Sequence, residues 1–434
     1  MNKQQHLVND VIAGLTTSLA AMAMGAAFGV QSGRGAFAGM VASAIIPIIT
    51  SIFGGTRIQA SGPTAPMTAV STVIITFAYI QFGTNSSISN QFITLVFLLH
   101  ALFMVLAGVF RLGRFISLVP QLVILGFMNG IAVLIWNDQI QKIFGLGGKV
   151  ALKGESWQNA LLAFATFSLI IVFPLLLNKL KIPEKARPFL PGTLVVIVSL
   201  TLFFILTKLN LETVKLGSAV STLGEFVSLP SKFLPTLNVL TFDYILKALP
   251  YATQLTMLAY LDSLLTSLVI DKVNKEETKK EKELMAQGLS NGLSAIFGGI
   301  LGAQSTVASI ILLKEGAKTR LAGVLIGVFT FIGVFAFQGV ITLVASAIFA
   351  GVLLKAGFDV FDKDYFKHYF NKKWYTKKIY NWQLMLIIFT TIATVAIDLN
   401  VAVVSGTILF YLGKKYYGLV DVDESEVTNI QNEG

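Results

Sequence analysis

The sequence predicts an all-α polytopic membrane protein with about 14 transmembrane segments, on three observations. Of 434 residues, 54% are hydrophobic and only 13% are charged, far more apolar than an average soluble domain. Apolar stretches of roughly 17–25 residues recur from end to end, each long enough to cross about 30 Å of hydrocarbon as a helix. A Phe-Gly-Gly turn also occurs twice, at Phe53 and at Phe297, each time where one apolar run ends and another begins.

The segments begin near Val11, Gly35, Pro63, Gln91, Ile116, Trp157, Pro191, Pro250, Glu283, Ser305, Leu321, Ile341, Gln383 and Val401. The first apolar run is long and leads into further spans, so it reads as a transmembrane helix rather than a cleaved signal. The net charge of +10 sits in loops, where it reports topology instead of nucleic-acid binding. Under this count Arg111 and Arg114, the cations of 179–187, 272–282 and 363–378, and Lys414 and Lys415 share one side. By the positive-inside rule that side is cytoplasmic, which puts both termini there and the chain in the inner (plasma) membrane. The stretch 361–382 mixes lysines with Tyr, Phe and Trp, suiting either an amphipathic segment at the inner interface or a solvated basic loop with anchoring aromatics. There are no cysteines, and the three histidines lack zinc-like spacing, so neither a thiolate site nor a catalytic metal is expected.

Many transporters are built from two copies of one fold, and this chain carries a local sign of such a duplication. Phe53-Gly54-Gly55 leads through Thr-Arg-Ile-Gln-Ala to Ser61-Gly62-Pro63, and Phe297-Gly298-Gly299 leads through Ile-Leu-Gly-Ala to Gln304-Ser305-Thr306. Each is a helix, a short extended stretch and a new helix. Pro63 suits a first helical turn, and Ser305 or Gln304 can cap its helix. Ser305 to Leu313 is nine residues before Lys314, roughly 14 Å of helix, so this one must start near mid-membrane. Such a start presents unpaired N–H groups and a partial positive charge, and two facing starts make an anion site without basic side chains. A structural glycine kink is the plainer alternative for either break taken alone.

Asp262 lies within Ala259 to Ile270, well inside an apolar run. A carboxylate at that depth marks an ion pathway or proton relay by default, against the alternative of an Asp bonded to a neighbouring helix. Thr266 stands one turn further on the same face, with Ser263 and Ser267 beside the pair. Oxygen donors of this kind suit Na⁺, while a lone carboxylate suits a proton. Asp271 is expected at the helix end, Asn129 and Asn291 as interhelical hydrogen-bonders, and Asp398 in a turn between the last two helices.

The residues Gln59 to Thr68, Leu261 to Ser267 and Phe297 to Thr306 resemble the sulfate permease (SulP) family, as do Asp10 to Thr16, Ala27 to Gly33 and Gln287 to Gly292. Within it the chain is most similar to the sodium-dependent bicarbonate transporters of cyanobacteria. The resemblance implies two inverted repeats of seven segments, a core and a gate domain, and half-helices at the third and tenth segments that meet at the substrate. It implies an elevator movement as well. Carried over by position, Asp262, Thr266 and Thr306 match sodium ligands, and Met24, Phe28, Thr64 or Thr68, Ala303, Ser305 and Thr306 line the anion pocket. The chain departs from the family at Ala23, where a proline is usual, and at Gly62, where the bicarbonate transporters carry an acid. The domain expectation is a transporter domain over 1–417, with repeats at about 10–208 and 245–417, and a short polar tail over 418–434 in which no STAS domain fits.

The expected function is secondary active transport of a small inorganic anion, bicarbonate or sulfate, by Na⁺ symport. Alternatives are a proton-coupled sulfate or dicarboxylate symporter and an uncoupled anion channel. An enzyme is not expected, since no second intramembrane carboxylate, Ser-His pair or metal constellation accompanies Asp262. The expected partners are the anion and the lipid bilayer, with a homodimer as a candidate assembly.

Overall fold

The computed structural model describes residues 3–147, 149–179, 190, 192–217, 219–397 and 399–421, and it is 78% helical, in line with the expected all-α class. Lys181, Lys185, Arg187, Pro191, Asp398 and the tail beyond residue 421 lie outside the described residues. In chain order the first half holds α1 (Lys3–Ser32), α2 (Ala36–Phe53), β1 (Ser61–Gly62), α3 (Ala65–Phe82), α4 (Ser87–Val109), α5 (Gln121–Phe144), α6 (Ser156–Lys179) and α7 (Gly192–Thr207). The second half holds α8 (Leu223–Phe233), α9 (Phe242–Asn274), α10 (Lys280–Ile296), β2 (Ala303–Gln304), α11 (Thr306–Lys314), α12 (Arg320–Ala336) and α13 (Gln338–Ile341). It ends with α14 (Ser346–Val360), α15 (Lys363–Asn371), α16 (Lys378–Ala396) and α17 (Leu399–Tyr417). Among the described residues eight helices are long and apolar enough to cross a membrane, and Gly192–Thr207 and Arg320–Ala336 are shorter apolar helices.

Several boundaries differ from the sequence expectation for local chemical reasons. The helix expected from Pro250 starts eight residues earlier, behind Thr241, and carries Pro250 in its interior. The one expected from Ile116 starts at Gln121, because Leu112–Leu118 winds as a 3-10 turn. Pro63 stays in extended chain, and Pro66 takes the first-turn position of α3 instead. The nine residues of α11 span roughly 14 Å, whereas the eighteen of α3 span roughly 27 Å, so only the second of the two restarted helices is short.

The chain divides into two compact units. The larger comprises residues up to Arg114 with Gln139–Lys355, and in it α10 packs against α4 and α2 while α12 packs against α1 and α2. The smaller comprises Phe115–Asp138 with residues from Ala356 onward. There α15 is amphipathic in contacts as well as composition: Tyr365 and Tyr369 are buried, and the buried Trp374 ring stacks on Tyr380 at 4.3 Å. Asn129 accepts from the backbone N–H of Asp362 at 2.8 Å, so it fastens the loop ahead of α15 instead of a neighbouring helix.

Candidate ion and anion site

The two broken segments meet each other. β1 and β2 pair antiparallel, with Ser61 opposite Gln304 and Gly62 opposite Ala303. Extended backbone among apolar helices must find hydrogen-bond partners inside the protein, and each break supplies them to the other. The Ser305 N–H donates to Ala60 O at 2.9 Å, and the Ser309 hydroxyl accepts from the Ala60 N–H at 2.9 Å. Directly beyond the strands, α3 and α11 begin.

The two helix starts differ. The Ser305 hydroxyl accepts from the Ala308 N–H at 3.3 Å, an ordinary N-cap. Thr64 stands at the equivalent place on α3 but makes no side-chain cap; its hydroxyl donates to Asp262 Oδ2 at 2.8 Å. One turn along α9, the Thr266 hydroxyl shares a 2.8 Å hydrogen bond with the Thr306 hydroxyl at the start of α11. The Asp262–Thr266 face of α9 therefore touches the beginning of both restarted helices. Asp262, Ser305 and Thr306 are half-buried, whereas Thr64 and Thr266 are buried.

The Phe-Gly-Gly turns need glycine for different reasons. Gly298 has φ +75°, a left-handed conformation in which a side chain is strained, and a Cβ there would press on the Phe233 ring at 2.3 Å. At Gly55 the need is space, because a Cβ would lie 2.0 Å from Lys279 O at the start of α10.

The polar face of α10 holds both breaks in place. Glu283 Oε2 accepts from the N–H groups of Gly55 and Thr56 at 2.9 and 3.0 Å and from Gln59 Nε2 at 3.0 Å. Gln287 Nε2 donates to Glu283 Oε1 and to Ser61 Oγ, both at 2.9 Å. Further along the same helix, Asn291 grips the second break: its Oδ1 accepts from Gly302 N–H at 2.8 Å and its Nδ2 donates to Gly302 O at 2.9 Å. Ser294 donates to Ile300 O at 2.8 Å. At the far end, Arg34 Nη1 donates to Gly299 O at 3.2 Å while its guanidinium lies 5.0 Å from the Phe233 ring centre. Arg34 is buried, has no carboxylate partner among the described residues, and burial lowers its pKa to about 10.

Of the residues expected from sequence, Asp262, Thr64, Thr266, Ser305 and Thr306 are brought together as described. Ala303 lies fully buried in β2, opposite Gly62. Thr68 sits one turn into α3, its buried hydroxyl without a hydrogen-bond partner. Phe28 is buried and Met24 half-buried on α1, and neither makes a polar contact that ties it to the site. Ser263 and Ser267 do not join it: the Ser267 hydroxyl turns back to Leu264 O at 2.7 Å, and that of Ser263 is buried without a partner. Asp271 lies just inside the end of α9 and ties down the following loop by accepting from Thr278 N–H at 3.0 Å and from its hydroxyl at 2.6 Å. Sequence reasoning gave Glu283, Gln287 and Arg34 no role at the site and Asn291 only a generic one. The signal was present as polar residues at 283, 287, 291 and 294, which fall on one helical face.

A sequence profile of the Sulfate permease family matches residues 7–375. The chain belongs to this family. Its membership agrees with the resemblance read from the motifs, and the family is one of transporters, not enzymes. Among its relatives, the bicarbonate transporter BicA of Picosynechococcus is 28% identical over 380 residues, 84% of this chain and 63% of that protein. The putative sulfate transporter YvdB of Bacillus subtilis is 27% identical over 415 residues, 94% of this chain and 73% of that protein. The chain thus spans less than two thirds of the length of the bicarbonate transporters it matches. Among solved structures, the transmembrane domain of a cyanobacterial BicA superposes with a TM-score of 0.77 at 27% identity, covering 93% of this chain and 98% of that one. The anion transporter SLC26A9 superposes with a TM-score of 0.72 at 13% identity, over 95% of this chain and 66% of that one, a likeness of fold alone.

Proposed function

We propose that this member of the sulfate permease family moves a small inorganic anion, bicarbonate or sulfate, across the membrane by symport with Na⁺. One observation carries the reading: a single face of α9, bearing Asp262 and Thr266, touches the starts of both restarted helices through Thr64 and Thr306. The N-terminal ends of those helices offer positive potential to an anion. The donors around Asp262 are all oxygens, the set a small hard cation takes. A carboxylate beside a bound anion is repulsive, and a cation between them removes that repulsion, which makes co-binding of the two ions favourable in either order. The names of the relatives on both the bicarbonate and the sulfate side agree with a tetrahedral or planar oxyanion of this size. The family resemblance supplies two further parts of the proposal, inverted seven-segment repeats over about 10–208 and 245–417 and an elevator movement of the core. Support for the repeats comes from the way the start of α2, through Arg34, holds the turn after α10, while the start of α10, through Glu283, holds the turn after α2.

The test is uptake of labelled bicarbonate and labelled sulfate into proteoliposomes, with and without an inward Na⁺ gradient. We expect one of the two anions to accumulate with Na⁺ and Asp262→Asn to abolish the accumulation. Uptake that ignores Na⁺ and survives Asp262→Asn refutes the coupling, and uptake driven equally well by a pH gradient assigns Asp262 to a proton.

A further inference from the structure

A cavity of about 670 Å³ opens on the larger unit beside the first Phe-Gly-Gly turn, apart from the Asp262 site. Its lining brings four cations together: Arg57, Lys279, Lys282 and Arg320. Arg57 is matched by Glu276 at 2.6 Å, and Arg320 donates to Ser51 O, a backbone carbonyl, at 2.9 Å. Lys279 and Lys282 are exposed and have no ion pair among the described residues. The lining contains no acidic residue; of two buried acids bonded to it, Glu283 accepts from the N–H groups of Gly55 and Thr56 and Asp10 accepts from the N–H and hydroxyl of Thr319. Three apolar side chains share the lining, Ile52, Phe53 and Leu321, exposed by 50%, 57% and 37%.

We infer that this cavity binds the phosphate headgroup of an anionic membrane phospholipid. Uncompensated cations beside exposed aliphatic and aromatic side chains, at the ends of membrane helices, match a phosphate with acyl chains attached; a free soluble phosphate would have no use for the apolar part. The glycines are part of the site. Gly54 and Gly55 line it, and a Cβ on either would press into the protein, on Thr50 O or on Lys279 O, so their missing side chains let the turn close against the start of α10 that carries Lys279 and Lys282. Occupancy would then tie the end of α2, the start of α10 and the start of α12 to the lipid surface, next to the turn from which β1 departs.

The experiment is native mass spectrometry of the full chain released from nanodiscs of phosphatidylcholine containing phosphatidylglycerol, with lipid retention counted per chain. Each lysine near an anionic headgroup changes binding by about fivefold, so Lys279→Gln with Lys282→Gln is expected to lower phosphatidylglycerol retention by roughly 25-fold and leave phosphatidylcholine unchanged. Because both side chains are exposed, the double variant should keep its unfolding midpoint, which is measured in parallel. The charge-reversed pair Lys279→Glu with Lys282→Glu should abolish retention. Equal retention of the two lipids by the native chain, unchanged retention in the double variants, or displacement of phosphatidylglycerol by millimolar inorganic phosphate each overturns the proposal.

Discussion

Replacing Glu283 measures how much of the candidate site depends on a side chain that never touches it. Glu283→Ala removes the acceptor of four hydrogen bonds, but the four donors fare differently. Gln59 Nε2 keeps Thr50 O at 3.1 Å, and Gln287 Nε2 keeps Ser61 Oγ at 2.9 Å. The N–H groups of Gly55 and Thr56 keep nothing. At about 1–3 kcal/mol for each orphaned donor, the loss is about 2–6 kcal/mol, with Gly55 at the low end because the adjoining cavity can supply water and Thr56 at the high end because it is buried. Glu283→Gln behaves otherwise. Its amide oxygen can still accept from both N–H groups, and the Gln287 amide can turn its buried, unpartnered Oε1 toward the new NH₂. What remains is the weakening of charge-assisted bonds and the contact of Gln287 with Ser61, about 1–2 kcal/mol. Unfolding of the purified chain in detergent should rank native above Gln above Ala, and anion uptake should fall in the same order as β1 loses its fixed approach. Ala and Gln variants of equal stability, or an Ala variant with native uptake, would show that this network does not position the first break.

Asn291→Ala should cost about 2–4 kcal/mol in the same unfolding assay, because both polar groups of the Gly302 backbone lose their partner inside the protein. Asn291→Asp should retain the bond from the Gly302 N–H while setting a carboxylate oxygen against the Gly302 carbonyl, so it too should be destabilised. Thr266→Val and Thr306→Val each delete one of two hydroxyls bonded to each other, and each should raise the Na⁺ concentration for half-maximal uptake by about tenfold or more, with a stability loss of about 1–3 kcal/mol for the hydroxyl left without its partner. Uptake curves that coincide with the native one in Na⁺ would remove these residues from the cation site.

The general character of the site was legible because it is written in local chemistry. A glycine pair ends a helix, a serine or threonine starts the next, and an aspartate stands out in an apolar run, so the breaks and Asp262 could be found residue by residue. Two of their supports were harder to see, since they act across more than 200 residues: Glu283 on Gly55, and Arg34 on Gly299. Glu283 in particular reads as the charged edge of a loop, because Lys280, Glu281 and Lys282 precede it. Only packing against α2 and α4 shows that this edge is inside the protein. For α3, nothing in Ala65 to Phe82 limits the helix to half a span, and its eighteen residues nearly span; the half-helix expected there came from likeness to the second break and to the family, not from these residues.

The supports are arranged so that the two helix starts form one mechanical body. Each break hangs from the helix that precedes the other: Glu283 and Gln287 on α10 hold the approach to α3, while Arg34 and the Ala38 carbonyl, which accepts from Ile300 N–H at 3.3 Å, hold the approach to α11. The β1–β2 pairing closes the loop between them. Displacing either helix start alone would break buried polar contacts on both sides, at about 1–3 kcal/mol for each group left unpaired, whereas moving both with α2, α9 and α10 would break none of them. A substrate held between Thr64 and Ser305 would therefore travel with its whole binding site, and the energy of alternating access would have to come from contacts elsewhere. The proposed elevator movement requires that separation, and under that proposal Asp262 would have only to balance charge within a body that moves intact.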